Sequence, residues 1–173
     1  MDFDPGRPYP PDPYTVLPRL PKFVLTCPDI EPGQEIPATF SAYEGDNVSP
    51  ALVWLGQPEE TKSFVVTCFD PDAPRPGGFW HWGIADIPPT VTQLPRGAAV
   101  PDGAWTVNND GGTPGFTGMA PPKGDHAHRY FFAVHALDVP HLDAPRTATP
   151  AELSDAAQAH AIARAVFYGI YER

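Results

Sequence analysis

The chain has 173 residues, with 11 Lys and Arg against 21 Asp and Glu and a formal charge of −10, enough for one domain with its own hydrophobic core and short for two. That charge opposes the attraction to backbone phosphates on which non-specific nucleic-acid binding depends, and it also repels an anionic bilayer surface. No nucleic-acid partner is expected, and a lipid-like ligand would have to be met by a local pocket. No apolar run is long enough to span a bilayer, so stable membrane insertion is not expected either, and Met1 to Pro13 lack the apolar segment of a signal peptide. The expected address is cytoplasmic. Cys27 and Cys68 sit in separate apolar segments without metal-ribbon spacing and are read as two reduced, packed thiols.

In chain order, residues 1–21 carry Pro5, Pro8, Pro10, Pro11, Pro13, Pro18 and Pro21. Each proline lacks an amide donor, which excludes a helix or a central strand and leaves an extended arm ahead of a single domain over 22–173. Six apolar segments then read as strands: Lys22 to Thr26, Ala38 to Ser41, Ala51 to Trp54, Ser63 to Phe69, Phe79 to Ile87 and Arg129 to Leu137. No amphipathic helices separate them, which favours two mainly antiparallel sheets packed as a sandwich over a parallel βαβ sheet. One helix is expected near the C-terminus. Thr149, Pro150 and Glu152 supply an N-cap, a first-turn proline and a capping-box acid, Ala156 to Phe167 the helical run, and Gly169 the C-cap. On that helix Ala157, Ala161 and Ala165 form a buried stripe, and His160 and Arg164 share a face with Arg164 at the rim.

Three segments can carry chemistry. Asp70-Pro71-Asp72-Ala73-Pro74 follows a strand directly, so its carboxylates project from the strand end; a plain Asp-Pro turn explains the same letters. Gly77-Gly78-Phe79-Trp80-His81-Trp82 enters the next strand, and strict alternation sets His81 on the face opposite Trp80 and Trp82. Gly118 to Tyr130 runs from a stiff loop into a strand on which His128 and Tyr130 share one face with Phe132 and Val134, with Arg129 on the other. Asp70 and Asp72 are expected to favour protonated His81 and His128, unless one Asp orients a His from behind.

Taken in order, Asp70-Pro-Asp-Ala-Pro, the aromatic segment with His81, Pro121-Pro122-Lys123-Gly124 and His128-Arg129-Tyr130 resemble the signature of the phosphatidylethanolamine-binding family, in its bacterial Raf-kinase-inhibitor-like branch. Asn47 to Trp54, Asn109-Asp110-Gly111 and Gly169-Ile170-Tyr171 support the match, which covers about residues 14 to 173. The resemblance implies two antiparallel sheets with C-terminal helices and a small cavity for phosphate-like anions and phosphoryl head groups. Its site residues, carried over by motif, are Asp70, Asp72, His81, Gly118, Pro121, His128 and Tyr130, with Gly118 letting the loop pass close to the ligand. It also implies a cis peptide at Ala73-Pro74. The chain departs from the pattern at Met119 and Ala120, changes expected to narrow the pocket mouth.

The leading reading is a binding and regulatory module for a small anionic or phosphorylated ligand, with a protein partner and a homodimer as open alternatives. Modulation of a kinase is implied by the family name alone. The second reading is an acid-base enzyme, an isomerase, cyclase or lyase, using the same Asp, His and Tyr groups. No serine stands in a Gly-x-Ser-x-Gly elbow and no P-loop or dinucleotide fingerprint is present. A metal held by His126 and His128 with Asp70 and Asp72 has suitable donor atoms, but sites in the family it resembles are usually metal-free. No metal and no cofactor are therefore expected.

Overall fold

The structure, a computed structural model, describes residues 4–173; the first three residues of the arm lie outside that range. Eight strands form two antiparallel sheets. The smaller has the order β1 (Val24–Thr26), β2 (Leu52–Leu55), β5 (Gln93–Leu94). The larger has the order β6 (Trp105–Thr106), β4 (Phe79–Ile87), β3 (Ser63–Asp70), β7 (His128–Leu137), β8 (Ala161–Tyr171). One helix, α1 (Pro150–Gln158), precedes β8. Among the described residues, no helix is long and apolar enough to cross a membrane.

The two faces of the larger sheet have different covers. Phe64, Val66 and Cys68 of β3, with Phe132 and Val134 of β7, meet Leu25, Leu52 and Trp54 of the smaller sheet in the main core. Alternation sends Val65 and Leu137 to the opposite face, where Leu153 and Ala157 of α1 close a second core. The rest of that outer face lies under the N-terminal arm. Tyr14 packs on Phe131 and His135 with ring centroids 6.1 and 6.2 Å away, Pro10 accepts from Arg129, and Pro21 accepts from the Arg164 backbone amide.

Four sequence expectations are corrected here. Ala38–Phe40 is a turn of 3-10 helix, not a strand: Pro37 precedes it, and Ser41 Oγ accepts the amides of Tyr43 and Glu44 and so folds the chain back. The helix begins as expected, with both halves of the Thr149–Glu152 capping box formed, but it ends at Gln158. Residues from Ala161 on form β8, paired with β7 from His128↔Tyr171 to Leu137↔Ala161. The alanine-rich composition there misleads, because Ile162, Val166, Phe167, Tyr168, Ile170 and Tyr171 favour a strand and ten cross-strand pairs outweigh small differences in helix propensity. Gly169 is accordingly no C-cap. It lies in the strand opposite Tyr130, where a Cβ would strike Ile36 and Ile30. Arg164 is buried rather than at the rim, bonded to Gln158 and set over the Tyr14 ring.

His135, fully buried on the outer face, has its pKa lowered to about 3 by burial and then by Arg164. An unfolded chain protonates this ring near pH 6.5 while the folded one resists, so its stabilising effect is complete above pH 6.5 and is lost as the pH falls toward 3. The loss amounts to about 3–5 kcal/mol. His81 shifts in the same direction. Denaturant midpoints measured from pH 7 to 4.5 should fall steeply in the parent chain and clearly less in His135→Leu; equal slopes would refute this account.

Candidate functional site

The adjacency of β4, β3 and β7 brings Asp70, His81, His128 and Tyr130 together at one end of the inner face. His81 arrives there by a bulge. Cys68 pairs with Trp82 but the next residue, Phe69, pairs with Trp80, so His81 is the extra residue of β4. Trp80 and Trp82 consequently lie on opposite faces, not on one: Trp80 stacks on Phe69 at 4.3 Å, while Trp82 joins the main core. An extra residue of this kind re-aims a side chain. The His81 ring stands 5.2 Å from that of Tyr130, and the His128 ring 6.4 Å from it.

Buried charge dominates the local electrostatics. His128 Nδ1 lies 2.8 Å from Asp70 Oδ2 and Nε2 lies 2.9 Å from Asp125 Oδ2, so the ring is held between two carboxylates. Burial opposes a charge on it, but the bonds to Asp70 and Asp125 prevail and raise its pKa above the ordinary histidine value. His81 behaves oppositely. Burial lowers its pKa despite the nearby Asp70, and its Nδ1 donates to the Thr117 carbonyl over 2.9 Å. The two rings are therefore displaced in opposite directions, where both were expected to favour the charged form. Burial raises the Asp125 carboxyl, but bonds from Arg7 and His128 overcome this and hold it well below the usual carboxylate range.

A cleft of about 280 Å3 opens over these groups. Asp70, His81 and His128 line its inner end, and Arg75, Phe79 and Pro122 its mouth. The Arg75 guanidinium lies 5.5 Å from the Phe79 ring centroid and, among the described residues, forms no salt bridge. Tyr130 does not border the cleft. It is fully buried beside the two histidine rings, its hydroxyl finds no hydrogen-bond partner among the described residues, and burial pushes the phenol well above its ordinary pKa.

The other expected site residues are placed elsewhere. The Asp72 carboxylate faces the outer side, taken by the Arg129 backbone amide, Nε and Nη2 at 2.7–2.8 Å. This clamp holds Asp72 without the expected cis bond, since no cis peptide occurs among the described residues and Ala73-Pro74 is trans. Gly118 is tight for a different reason than ligand approach: a Cβ there would strike the backbone from Phe40 to Ala42, and its amide donates to Asn47 Oδ1 over 2.6 Å. Pro121 is buried beside the cleft without lining it. Ala120 and Pro122 line it, and Met119 lies in the core instead of at the mouth.

Three residues were missed. Arg75 directly follows the Asp-Pro motif and Asp125 stands three residues before His128, so proximity to a motif was the available signal. Arg7 had none: it reaches the site from 118 residues away, binding both Asp125 oxygens at 2.6 and 2.8 Å and the Asp72 carbonyl at 2.5 Å.

A family model described as phosphatidylethanolamine-binding protein matches residues 26–172. The UPF0098 protein YbhB of Escherichia coli is 42% identical over 150 residues, spanning 82% of this chain and 94% of its own. The crystal structure of E. coli YbcL superimposes with a TM-score of 0.84 at 40% identity, covering 88% of this chain and 99% of that one. The CT736 homologue from Chlamydia trachomatis gives 0.78 at 35%, covering 88% and 98%.

The Asp72–Arg129 clamp generates a stability prediction. The Asp72 side chain is fully buried, so Arg129→Met leaves an uncompensated charge and should cost about 3–5 kcal/mol. Asp72→Leu combined with Arg129→Met should recover most of that. A double variant no more stable than Arg129→Met would show that packing, not charge pairing, holds this corner.

Proposed function

This chain belongs to the phosphatidylethanolamine-binding protein family, and within it we propose a binding module that takes a small anion or phosphoryl head group in the cleft between Asp70, His81 and His128. The observation that carries the reading is the cleft itself, where the imidazoles of His81 and His128 and the guanidinium of Arg75 line one space of about 280 Å3. Charge supports the reading as well. The imidazolium of His128 and the guanidinia of Arg7 and Arg129 balance the carboxylates of Asp70, Asp72 and Asp125, which leaves Arg75 at the mouth as surplus positive charge. Neutral His81 suits a ligand that brings a proton, such as the P–OH of a phosphate monoanion, because the ring nitrogen opposite Nδ1 then accepts. The apolar walls supplied by Phe79, Pro74 and Pro122 accommodate an organic substituent. Control of a partner protein by ligand occupancy is the regulatory form of this proposal.

One observation favours acid-base catalysis as the alternative: two neighbouring imidazoles whose pKa values are displaced in opposite directions can serve as acid and base. Turnover of a small-molecule phosphate or carboxylate ester in a metabolite panel would establish it.

Titration calorimetry with phosphoethanolamine and with inorganic phosphate tests the binding reading. Arg75→Ala should weaken affinity roughly ten- to 150-fold, the range for loss of a charge-assisted hydrogen bond. Unaltered affinity in Arg75→Ala would dismiss the cleft as the binding site.

A further inference from the structure

Beside the cleft, sharing only His128 with the proposed anion site, lies a second group of donors. Asp125, His126 and His128 each offer one ligand atom, and these atoms all lie within 4.8 Å of one another. Two imidazoles and a carboxylate form a donor set favoured by divalent transition metals and poorly suited to Ca2+ or Mg2+.

The hydrogen bonds around these residues have the form that metal-binding histidines require. A ligating imidazole normally donates its other ring N–H to a carboxylate or a backbone carbonyl, which fixes the tautomer and aims the lone pair. His128 Nδ1 is bonded to Asp70 Oδ2 at 2.8 Å, which leaves Nε2 toward Asp125. His126 Nδ1 is 2.9 Å from the Ala127 carbonyl, and its Nε2 is buried with no partner among the described residues. That second orphan is the independent sign of a ligand, because a buried imidazole lone pair is otherwise wasted.

The place already holds a cation, supplied by the chain itself. The Arg7 guanidinium binds both oxygens of Asp125, sits 2.5 Å from the Asp72 carbonyl oxygen and lies 3.5 Å from His128 Nε2. Tyr9, two residues on, covers His126 with ring centroids 4.4 Å apart and donates to the Ala127 carbonyl. The N-terminal arm thus closes over the donors and presents a monovalent charge where a dication fits.

We propose that Asp125, His126 and His128 form a site for a borderline divalent metal ion such as Zn2+, and that Arg7 is its built-in competitor. Metal entry displaces the guanidinium from Asp125 and the proton from His128 Nε2, so one dication replaces two single positive charges and the charge balance of the buried carboxylates is kept. Three protein ligands leave the remaining coordination position to water or to the Asp72 carbonyl oxygen. The assignment departs from the sequence expectation of no metal; it shares His128 with the cleft but does not rest on the cleft binding an anion.

Zn2+ alone, titrated by calorimetry into extensively dialysed full chain, tests the proposal. One equivalent should bind, and Arg7→Ala should tighten binding about tenfold or more by removing the competing cation. His126→Ala should weaken it about a hundredfold both alone and combined with Arg7→Ala, since one of three ligands is lost. His126 is only partly buried and its replacement leaves no charge unpaired; in Arg7→Ala the buried Asp125 keeps His128 as its partner, and a denaturation midpoint for each variant checks that it is folded. Co2+ substitution should give a visible spectrum without a thiolate charge-transfer band. Failure of Arg7→Ala to bind Zn2+ in the micromolar range overturns the proposal, as does binding that is indifferent to His126→Ala. A thiolate band would overturn it too, by moving the metal to a cysteine.

Discussion

Asp70, Asp72 and Asp125 lie together at one end of the larger sheet with at most 6% of each residue exposed. Carboxylates so placed persist only where opposite charge and donors accompany them. His128 serves two of the three, Arg129 takes Asp72 with three donors, and Arg7 completes Asp125. The partners come from two stretches of chain, His128 and Arg129 from the start of β7 and Arg7 from the N-terminal arm, so the demand for charge balance fixes the loop after β3, the start of β7 and the arm relative to one another. The arm is where this constraint reaches furthest. Seven prolines cannot bond it into a sheet, and it is held instead through Arg7, Tyr9, Pro10 and Tyr14, each of which meets a side chain or carbonyl of the domain.

The sandwich, the long strands and the helix N-terminus were legible because each rests on local pattern: runs rich in Val and Phe at Ser63–Asp70 and His128–Leu137, buried along almost their whole length, and the Thr149–Glu152 capping box. The grouping of Asp70, His81, His128 and Tyr130 was legible because each stands near a strand end beside a recognisable motif. What escaped depends on pairing across the sheet. Ala161–Tyr171 reads as helix by its alanines and becomes a strand only because β7 offers a free edge with complementary small and large residues. Arg7 could not be assigned, since nothing in its neighbours Gly6 and Pro8 records a carboxylate that lies more than a hundred residues away.

The bulge at His81 bears on the chemistry of the cleft. Without the extra residue, alternation sends the imidazole to the outer face beside Phe69, and the inner end loses its neutral nitrogen. The insertion also separates the environments of the two histidines. His81 is directed into a buried position where a backbone carbonyl is its bonding partner and desolvation governs, while His128, entering on an unbroken strand, stays between carboxylates and charge pairing governs. One sheet end thus displaces the same side chain's pKa in two opposite directions, and the difference originates in strand register, not in residue type.

β7 connects all of these features. Its inward residues, His128, Tyr130, Phe132 and Val134, run from the cleft into the main core, whereas its outward residues, Arg129, Phe131 and His135, form the track on which the arm lies. A slip of one residue would exchange the two sets, putting Arg129 into the cleft and His128 under the arm. Two kinds of restraint oppose that slip. Pairing with β3 on one side and with β8 on the other gives a continuous ladder, but a ladder alone fits nearly as well when displaced by two residues. The bonds His128–Asp70 and Arg129–Asp72 do not, because a shift of two residues would set Tyr130 and Phe131 against the buried carboxylates. The charged pairs, costly to bury and weak as sources of net stability, therefore select one register among several of similar hydrogen bonding. That register places the cleft on one face and the arm on the other.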